Sequence, residues 1–166
     1  MRIGQGYDAH KIKEGKGLIL GGINIECGYS IEAHSDGDII IHALIDSLLG
    51  AAAYGDLGTY FPSEDKSLKD ISSVSMLEEI LKKLSKDSFS IINIDITYVG
   101  KIPKIISYRE AIIENLSKIL AIDSNKISCK ATTTDGLGFE GNLEGVSCHC
   151  ISCLLYTSDA ADDTLG

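Results

Sequence analysis

The hydrophobic and polar residues of the chain follow two periods, which predict strands and helices in an interleaved order. Alternation with a period of two predicts four strands, at residues 1–8, 90–99, 127–133 and 145–156. Two shorter runs with glycines between them, 17–22 and 23–28, predict a small hairpin. Hydrophobic residues at helical spacing predict three helices, at residues 38–53, around 74–84 and around 112–120. This order predicts a single α+β domain, in which three helices pack on one face of a mixed β-sheet.

The first predicted helix combines a wide hydrophobic surface with a row of polar residues. Its hydrophobic surface contains Ile40, Ile41, Leu44, Ile45, Leu48 and Leu49. Asp38, His42 and Asp46 are spaced four residues apart, so they share one side of the helix. Ser35 or Asp36 is predicted to cap the helix start. The polar row is either a face exposed to water or part of a functional site.

The composition is that of a soluble globular protein and limits its partners. Of the 166 residues, 44% are hydrophobic and 23% are charged, and the net charge is −9. Three of the nine units come from Asp159, Asp162 and Asp163, which leaves −6 for the rest of the chain. An acidic chain lacks the basic surface that nucleic acids and anionic membranes require, so we expect neither as a partner. A small anionic substrate stays open, because a metal ion or a helix N-terminus can attract it.

The sequence contains no sign of membrane insertion or export. No hydrophobic run approaches the roughly 20 residues of a membrane span, and we expect a cytoplasmic protein with reduced, structural cysteines. Cys148, Cys150 and Cys153 surround His149 at a spacing that resembles a metal site, but alternation along a strand points them to opposite faces. Residues 157–166 are polar and acidic, so we expect a disordered or extraneous tail after a domain of residues 1–156.

Three residues could form a metal site. Asp8 and His10 are two residues apart at the predicted end of a strand, and His42 lies on the first helix. One carboxylate with two imidazoles is a ligand set of catalytic zinc sites, in which the fourth position stays open for water or substrate. Zn²⁺ fits this set best, while Mn²⁺, Fe²⁺ and Mg²⁺ stay open. Asp38 and Asp46, one turn on either side of His42, are predicted to orient its ring.

Two further segments offer groups that bind phosphate. Thr132, Thr133 and Thr134 end a predicted strand and precede Asp135 in a glycine-rich loop. Their hydroxyl and backbone N–H groups can donate to phosphate oxygens, and Lys104 near a predicted helix start can add positive charge. The same residues also suit an ordinary strand end and an ordinary helix start, so spacing alone leaves both interpretations open.

Short motifs along the chain match one enzyme family in order and almost without gaps. The matching residues are GYDAH at 6–10, AHSDGD at 33–38, His42, GAAAYGDLG at 50–58, FPSED at 61–65, Pro103-Lys104, KATTTDGLGF at 130–139 and Glu144-Gly145. With these motifs, residues 1–155 resemble the 2-C-methyl-D-erythritol 2,4-cyclodiphosphate synthases, which are trimeric enzymes of the non-mevalonate isoprenoid pathway. The number of separate motifs makes the resemblance specific.

The resemblance implies a cyclising phosphoryl transfer. The substrate is 4-diphosphocytidyl-2-C-methyl-D-erythritol 2-phosphate, whose 2-phosphate attacks the β-phosphorus of the diphosphate. CMP leaves, and the product is 2-C-methyl-D-erythritol 2,4-cyclodiphosphate. The attacking phosphate is already an anion, so the protein has to position the reacting groups and spread their charge.

The resemblance also implies roles for individual residues. Asp8, His10 and His42 match the zinc ligands, and a second divalent ion such as Mg²⁺ is implied on the diphosphate. His34 and Thr133 match the pair that stabilises the transition state. The residues that match substrate contacts are Asp8, His10, Ser35, Asp56, Leu57, Gly58, Phe61, Pro62, Ser63, Glu64, Asp65, Gly100, Lys101, Ile102, Pro103, Lys104, Ile105, Ile106, Thr132, Thr134, Asp135 and Phe139.

The substrate contacts divide into segments with separate tasks. Residues 56–58 match contacts to the methylerythritol hydroxyls, and residues 61–65 match a mobile loop over that end of the substrate. Residues 100–106 match the cytidine pocket, and 132–135 match contacts to the phosphates. The family's site lies between subunits, so the resemblance implies a homotrimer in which one subunit holds the zinc and its neighbour holds the cytidine.

Three positions depart from the family pattern. Asp135 stands where Glu is usual, which shortens the reach towards a second divalent ion. Asn142 stands where Arg is frequent, which removes a charge near the trimer axis, and Gln5 stands where His is common.

Two other functions use the same residues. A metal-dependent phosphoesterase would activate water with the same three ligands, and a sensor would bind metal or cytidine nucleotide without turnover.

Overall fold

The alternating segments form a mixed sheet, which we describe from a computed structural model of residues 1–156. The strands are β1 (Arg2–Glu14), β2 (Gly17–Leu20), β3 (Ile23–Glu26), β4 (Tyr29–Glu32), β5 (Phe89–Val99), β6 (Ile127–Thr132) and β7 (Gly145–Tyr156). The helices are α1 (Ile39–Ala52), α2 (Leu57–Tyr60), α3 (Ser73–Lys86), α4 (Arg109–Leu120) and α5 (Gly138–Gly141). The predicted tail, 157–166, lies outside the described residues.

Five strands form the main sheet in the order β4-β1-β7-β5-β6. Only β5 and β6 are parallel among these neighbours, which confirms the predicted mixed sheet. The strands β2 and β3 form a separate antiparallel hairpin, also as predicted. No helix within residues 1–156 is long and hydrophobic enough to cross a bilayer.

The predicted elements need three corrections. The first strand does not end at residue 8 but continues to Glu14, because its residues remain paired with β7 and then with β4. The described residues contain five helices instead of three, and the extra two, α2 and α5, are single turns in segments predicted as loops. Strand β4 was missed as well. All three missed elements have only four residues, too few to show a hydrophobic repeat.

The register of the sheet separates a covered face from an open one. Gly6, Cys150, Ile96 and Cys129 lie opposite one another on successive strands, and all four are buried. The three long helices contact the sheet at β1, β5, β6 and β7, and they cover this face. The next row contains Tyr7, His149, Thr97 and Lys130 and faces away from the helices.

Two glycines allow α1 to lie directly on β1. A Cβ atom on Gly6 would lie 1.9 Å from the carbonyl oxygen of Ala43, and one on Gly4 would lie 2.0 Å from that of Ser47. The glycines meet backbone atoms of Ala43, Ser47 and Ala51, three residues with small side chains at four-residue spacing on α1. The backbone of α1 can therefore approach this strand more closely than side chains on both elements would permit.

The start of α1 is tied to the β2–β3 hairpin by Asp38. Asp38 is the N-cap of α1, where its carboxylate accepts a hydrogen bond from Ile41 N–H, so the predicted caps Ser35 and Asp36 are wrong. The same carboxylate accepts from Gly21 N–H at 2.9 Å and Gly22 N–H at 2.7 Å, in a turn where both glycines have positive φ. Burial raises the pKa of Asp38 to about 6, and the negative charge of Asp36 acts in the same direction.

The cysteines are free and lie mainly in the core. Cys148 and Cys150 are fully buried on the covered face of β7, and His149 between them is exposed on the other face, as predicted. Burial raises the pKa of Cys150 to about 12 and that of Cys129 to about 11. High thiol pKa values keep these residues protonated and unreactive at neutral pH.

Candidate active site

The candidate metal ligands come together where β1 passes the first turn of α1. Asp8 and His10 follow Gly4 and Gly6 on the same face of β1, at two-residue spacing. His42 extends from α1 towards them and is only 7% exposed. The predicted strand end is wrong, since both ligands lie in the middle of a paired strand. They converge because alternate residues of one strand face one helix.

The ligand atoms have the spacing of a metal site. Asp8 Oδ2 lies 2.8 Å from His10 Nε2 and 3.1 Å from His42 Nδ1, and the two ring nitrogens are 3.4 Å apart. Tetrahedral zinc, with bonds of about 2.0–2.1 Å, separates its ligand atoms by about 3.3 Å. The three residues can therefore hold a divalent metal ion together with one further ligand.

The electrostatics of Asp8 suit metal binding. Burial raises the pKa of Asp8, but hydrogen bonds to His10 and His42 and the charges of the two rings outweigh burial and lower the pKa to about 2. The carboxylate is therefore charged at neutral pH. A metal ion needs this deprotonated form, so the site requires no proton release from Asp8 on binding.

The residues that orient His42 differ from those predicted. Asp38 holds the hairpin, and Asp46 Oδ1 accepts a hydrogen bond of 2.7 Å from Leu57 N–H at the start of α2, so neither carboxylate contacts the ring. His42 Nε2 instead contacts Ser73 Oγ at 2.8 Å and Ser35 Oγ at 3.2 Å. Helical spacing suggested the two acids, but Ser73 lies 31 residues away on α3, and local spacing gives no information about such a contact.

A cavity of about 190 Å³ opens next to the ligands. The predicted site residues that line it are Asp8, His10, His34, Ser35, His42, Leu57, Phe61 and Ser63. Leu68, Ile71 and Met76 also line it and were not predicted from the sequence. The backbone carbonyl of His34 accepts a hydrogen bond of 3.0 Å from Asp70 N–H, which joins the two segments that border the cavity.

The other acids of the predicted substrate loop lie beside this cavity. Asp56 is the N-cap of α2 and accepts hydrogen bonds from the backbone N–H and the hydroxyl of Thr59. Asp65 accepts from the N–H and hydroxyl of Ser67, while Glu64 is exposed and accepts from Ser63 at 3.4 Å. Gly58 and Pro62 belong to the same stretch but do not line the cavity. The carboxylates of Asp56 and Asp65 thus accept hydrogen bonds within local turns.

The predicted nucleotide segment lines a second cavity, of about 310 Å³. Its predicted members are Gly100, Lys101, Pro103, Lys104, Ile105, Ile106, Thr132 and Thr133, whereas Ile102 is not among them. Arg109 also lines this cavity, and its Nε has no hydrogen-bond partner among the described residues. With Lys101 and Lys104, Arg109 gives the cavity three cations and no carboxylate, although the chain as a whole is acidic.

The remaining predicted residues that line a cavity lie in two further cavities, separate from each other. Thr134 and Asp135 line one of about 230 Å³ together with Lys101, Lys104 and Thr133. Asp135 has a φ of 58°, in the left-handed region, within the loop that follows β6. Phe139 lies elsewhere, beside His10 in a cavity of about 480 Å³.

The two halves of the predicted site are far apart within one chain. Asp8, Cys148, Tyr98 and Ala131 lie opposite one another on four successive strands. Three intervals of about 4.8 Å separate Asp8 from Ala131 by about 14 Å. The cavity with His34 and the cavity with Thr133 share no lining residue. A single chain therefore does not bring these two predicted catalytic residues together.

Comparisons with known proteins agree on one family. Residues 1–155 match the YgbB family. A Desulfatibacillum aliphaticivorans protein named 2-C-methyl-D-erythritol 2,4-cyclodiphosphate synthase is 42% identical over 154 residues, which cover 93% of this chain and 99% of that protein. A Clostridium botulinum (strain Hall) protein of the same name is 45% identical over 155 residues, with the same coverage.

Solved structures agree with the sequence comparisons. A Plasmodium falciparum IspF in complex with CDP has a TM-score of 0.82 and 40% identity, over 93% of this chain and 96% of that one. The bifunctional IspDF of Campylobacter jejuni has a TM-score of 0.90 and 37% identity, over 93% of this chain and 42% of that one. The family match, the relatives of nearly equal length and the shared fold all point to the same family. The chain therefore belongs to the YgbB family.

Proposed function

We propose that this protein converts 4-diphosphocytidyl-2-C-methyl-D-erythritol 2-phosphate to 2-C-methyl-D-erythritol 2,4-cyclodiphosphate and CMP. The observation that carries the proposal is the convergence of Asp8, His10 and His42 beside a cavity that also contains His34 and Ser35. Relatives that carry the synthase name match this chain over nearly its full length, which supports the same activity here.

The metal bound by Asp8, His10 and His42 is proposed to be zinc. A carboxylate and two imidazoles at the observed separations suit a tetrahedral ion with one open position. When bound, zinc supplies positive charge that stabilises the negative charge developing on the diphosphate. We further propose a second divalent ion such as Mg²⁺ near the diphosphate, with Asp135 as the carboxylate that reaches it.

The chain's own residues have to position the two reacting phosphates and stabilise charge between them. His34 and Ser35 line the cavity beside the ligands, where a hydroxyl and an imidazole can donate hydrogen bonds to phosphate oxygens. Leu57, Phe61 and Ser63 line the same cavity, which suits the methylerythritol portion with its methyl and hydroxyl groups. Asp56 and Gly58 are proposed to contact the hydroxyls, with residues 61–65 as a mobile loop over that end of the substrate.

The nucleotide is proposed to occupy the cavity lined by residues 100–106 and by Thr132 and Thr133. Lys101, Lys104 and Arg109 give that cavity the positive charge that a nucleoside phosphate requires. A solved relative contains CDP, which is consistent with a cytidine ligand. Thr133 is proposed to stabilise the transition state together with His34.

The separation of the two cavities supports a homotrimer with sites between subunits. Asp8 and Ala131 are about 14 Å apart on the same sheet, which exceeds the size of a diphosphate, so Thr133 of a neighbouring subunit would meet His34. The open face of the sheet also exposes large hydrophobic residues, with Ile3 at 71%, Tyr7 at 48% and Ile151 at 47%. Such a surface is typical of an interface between subunits.

The test of this function is the identity of the products. Incubation with the cytidylyl substrate and Zn²⁺ should release CMP and form one cyclic diphosphate in equal amounts, both measurable by ³¹P NMR. A phosphoesterase with the same ligands would release inorganic phosphate instead, because it would activate water. A sensor would bind cytidine nucleotides without releasing CMP. Either outcome would overturn the proposed synthase activity.

A further inference from the structure

The second ring nitrogen of His42 enters a hydrogen-bond chain that leads away from the metal ligands. Nδ1 of His42 faces Asp8 and His10, while Nε2 lies 2.8 Å from Ser73 Oγ. Ser73 is fully buried, and its hydroxyl also donates a hydrogen bond to Asp36 Oδ1. The backbone N–H of Ser73 donates to the other oxygen of Asp36 at 2.9 Å.

Metal binding fixes the direction of every hydrogen bond in this chain. When Nδ1 of His42 binds a metal ion, it carries no proton, so the ring proton must lie on Nε2. Nε2–H then donates to Ser73 Oγ, and the hydroxyl proton of Ser73 can only point towards the Asp36 carboxylate. The carboxylate ends the chain, because a charged acceptor strengthens the hydrogen bonds that lead to it.

We propose that Ser73 and Asp36 are positioning residues, which hold His42 in the orientation and tautomer that bind the metal. The proposal rests on the metal site of the proposed function and extends it to residues outside the ligand set. Ser35, at 3.2 Å from the same nitrogen, is partly exposed and lines the cavity. With Ser73 as the partner of the ring, the Ser35 hydroxyl stays available to a ligand in the cavity.

The position of Ser73 also connects the metal site to a segment that lines the cavity. Ser73 is the first residue of α3, directly after the stretch that contains Leu68 and Ile71. Asp36 is in turn two residues from His34, whose carbonyl accepts from Asp70. The contacts of Ser73 and Asp70 thus join residues 34–36 to the end of this segment. We infer that the orientation of His42 depends on the same contacts that hold the cavity wall.

The test compares zinc affinity in variants of two neighbouring serines. Ser73→Ala removes the hydroxyl but keeps the backbone hydrogen bond to Asp36. Ser72→Ala is the matched control, because Ser72 caps the same helix through Ser75 N–H and does not touch His42. After metal removal, competition with a chelator should show zinc affinity about 10- to 100-fold weaker for Ser73→Ala. Ser72→Ala should stay within about twofold of the parent.

Two further measurements complete this test: a Co²⁺ spectrum and a second variant. The Co²⁺-loaded Ser73→Ala protein should have an altered visible spectrum, since the ring is no longer held, whereas Ser72→Ala should match the parent. If Ser73→Ala does not fold, Asp36→Asn provides the test, because it keeps the shape of the acceptor and removes its charge. It should weaken zinc binding at least several-fold.

The proposal would be overturned if folded Ser73→Ala bound zinc as tightly as the parent. If Ser73→Ala does not fold, the same result for Asp36→Asn would overturn it. These readouts need no turnover. A parent that binds zinc but releases no CMP would refute the proposed function and leave this inference intact.

Discussion

The close contact of β1 and α1 leads to a prediction for Gly6→Ala. The new Cβ atom would lie 1.9 Å from the Ala43 carbonyl oxygen and 2.7 Å from Ser47 N, and both atoms belong to the helix backbone. Ordinary contact begins at 3.4 Å, so α1 would have to move away by about 1.5 Å. In a formed metal site the metal–ligand distances lie within about 0.2 Å of their standard values. Because His42 directly precedes Ala43 on this helix, the shift would separate His42 from Asp8.

The assay compares Gly6→Ala with Gly28→Ala, whose Cβ atom would meet nothing within 4 Å. Urea unfolding of the metal-free proteins should show that Gly6→Ala loses about 3 kcal/mol of stability, the upper end of overpacking costs, because neither clashing atom is a flexible side chain. Chelator competition should show zinc affinity at least about 10-fold weaker. Gly28→Ala should change neither quantity. If Gly6→Ala matched Gly28→Ala in both, the inference that backbone contact positions the metal ligands would be refuted.

Three further predictions follow from the site and from the start of α1. Thr133→Ala should keep the zinc affinity of the parent but lose most of the rate of CMP release, because Thr133 lies far from the ligands within its own chain. Mixing subunits of Thr133→Ala and His42→Ala should restore part of the activity if sites form between subunits, whereas a site within one chain would stay inactive. Asp38→Asn should cost about 2–4 kcal/mol in urea unfolding, since an amide replaces an acceptor of three backbone N–H groups. Because the folded-state pKa of Asp38 is raised to about 6, the folded protein binds a proton at Asp38 that the unfolded chain releases near pH 4, so the free energy of unfolding should fall as pH rises from about 4 to about 6, and this fall should be absent in Asp38→Asn.

The sequence predicted the elements that carry a long hydrophobic repeat. The helices α1, α3 and α4 and the strands β5, β6 and β7 were all expected close to their observed bounds. The end of β1 was misplaced because Asp8 and His10 are polar, and polar residues near a glycine usually indicate the end of a strand. In the fold they remain paired because the sheet continues on both sides of them.

Part of the candidate site was also predicted, from the chemistry of the ligand groups instead of from hydrophobic periodicity. The three ligands could be selected because carboxylate and imidazole groups have a known chemistry together, in whatever part of the chain they lie. The partners of His42 could not be selected from the sequence. Ser73 and Ser35 reach its ring through tertiary contacts, which leave no periodic pattern in the sequence. Asp38 and Asp46 had the right spacing but bind backbone N–H groups of the hairpin and of α2 instead.

The central claim is that Asp8, His10 and His42 hold a metal ion on which CMP release depends. The most direct measurement is CMP release from the cytidylyl substrate by parent and His42→Ala proteins, each assayed after chelator treatment and again after Zn²⁺ is returned. We predict that the chelator abolishes release by the parent, that Zn²⁺ restores it, and that His42→Ala stays inactive with its zinc affinity lost. Release at the parent rate by metal-free His42→Ala protein would contradict the account.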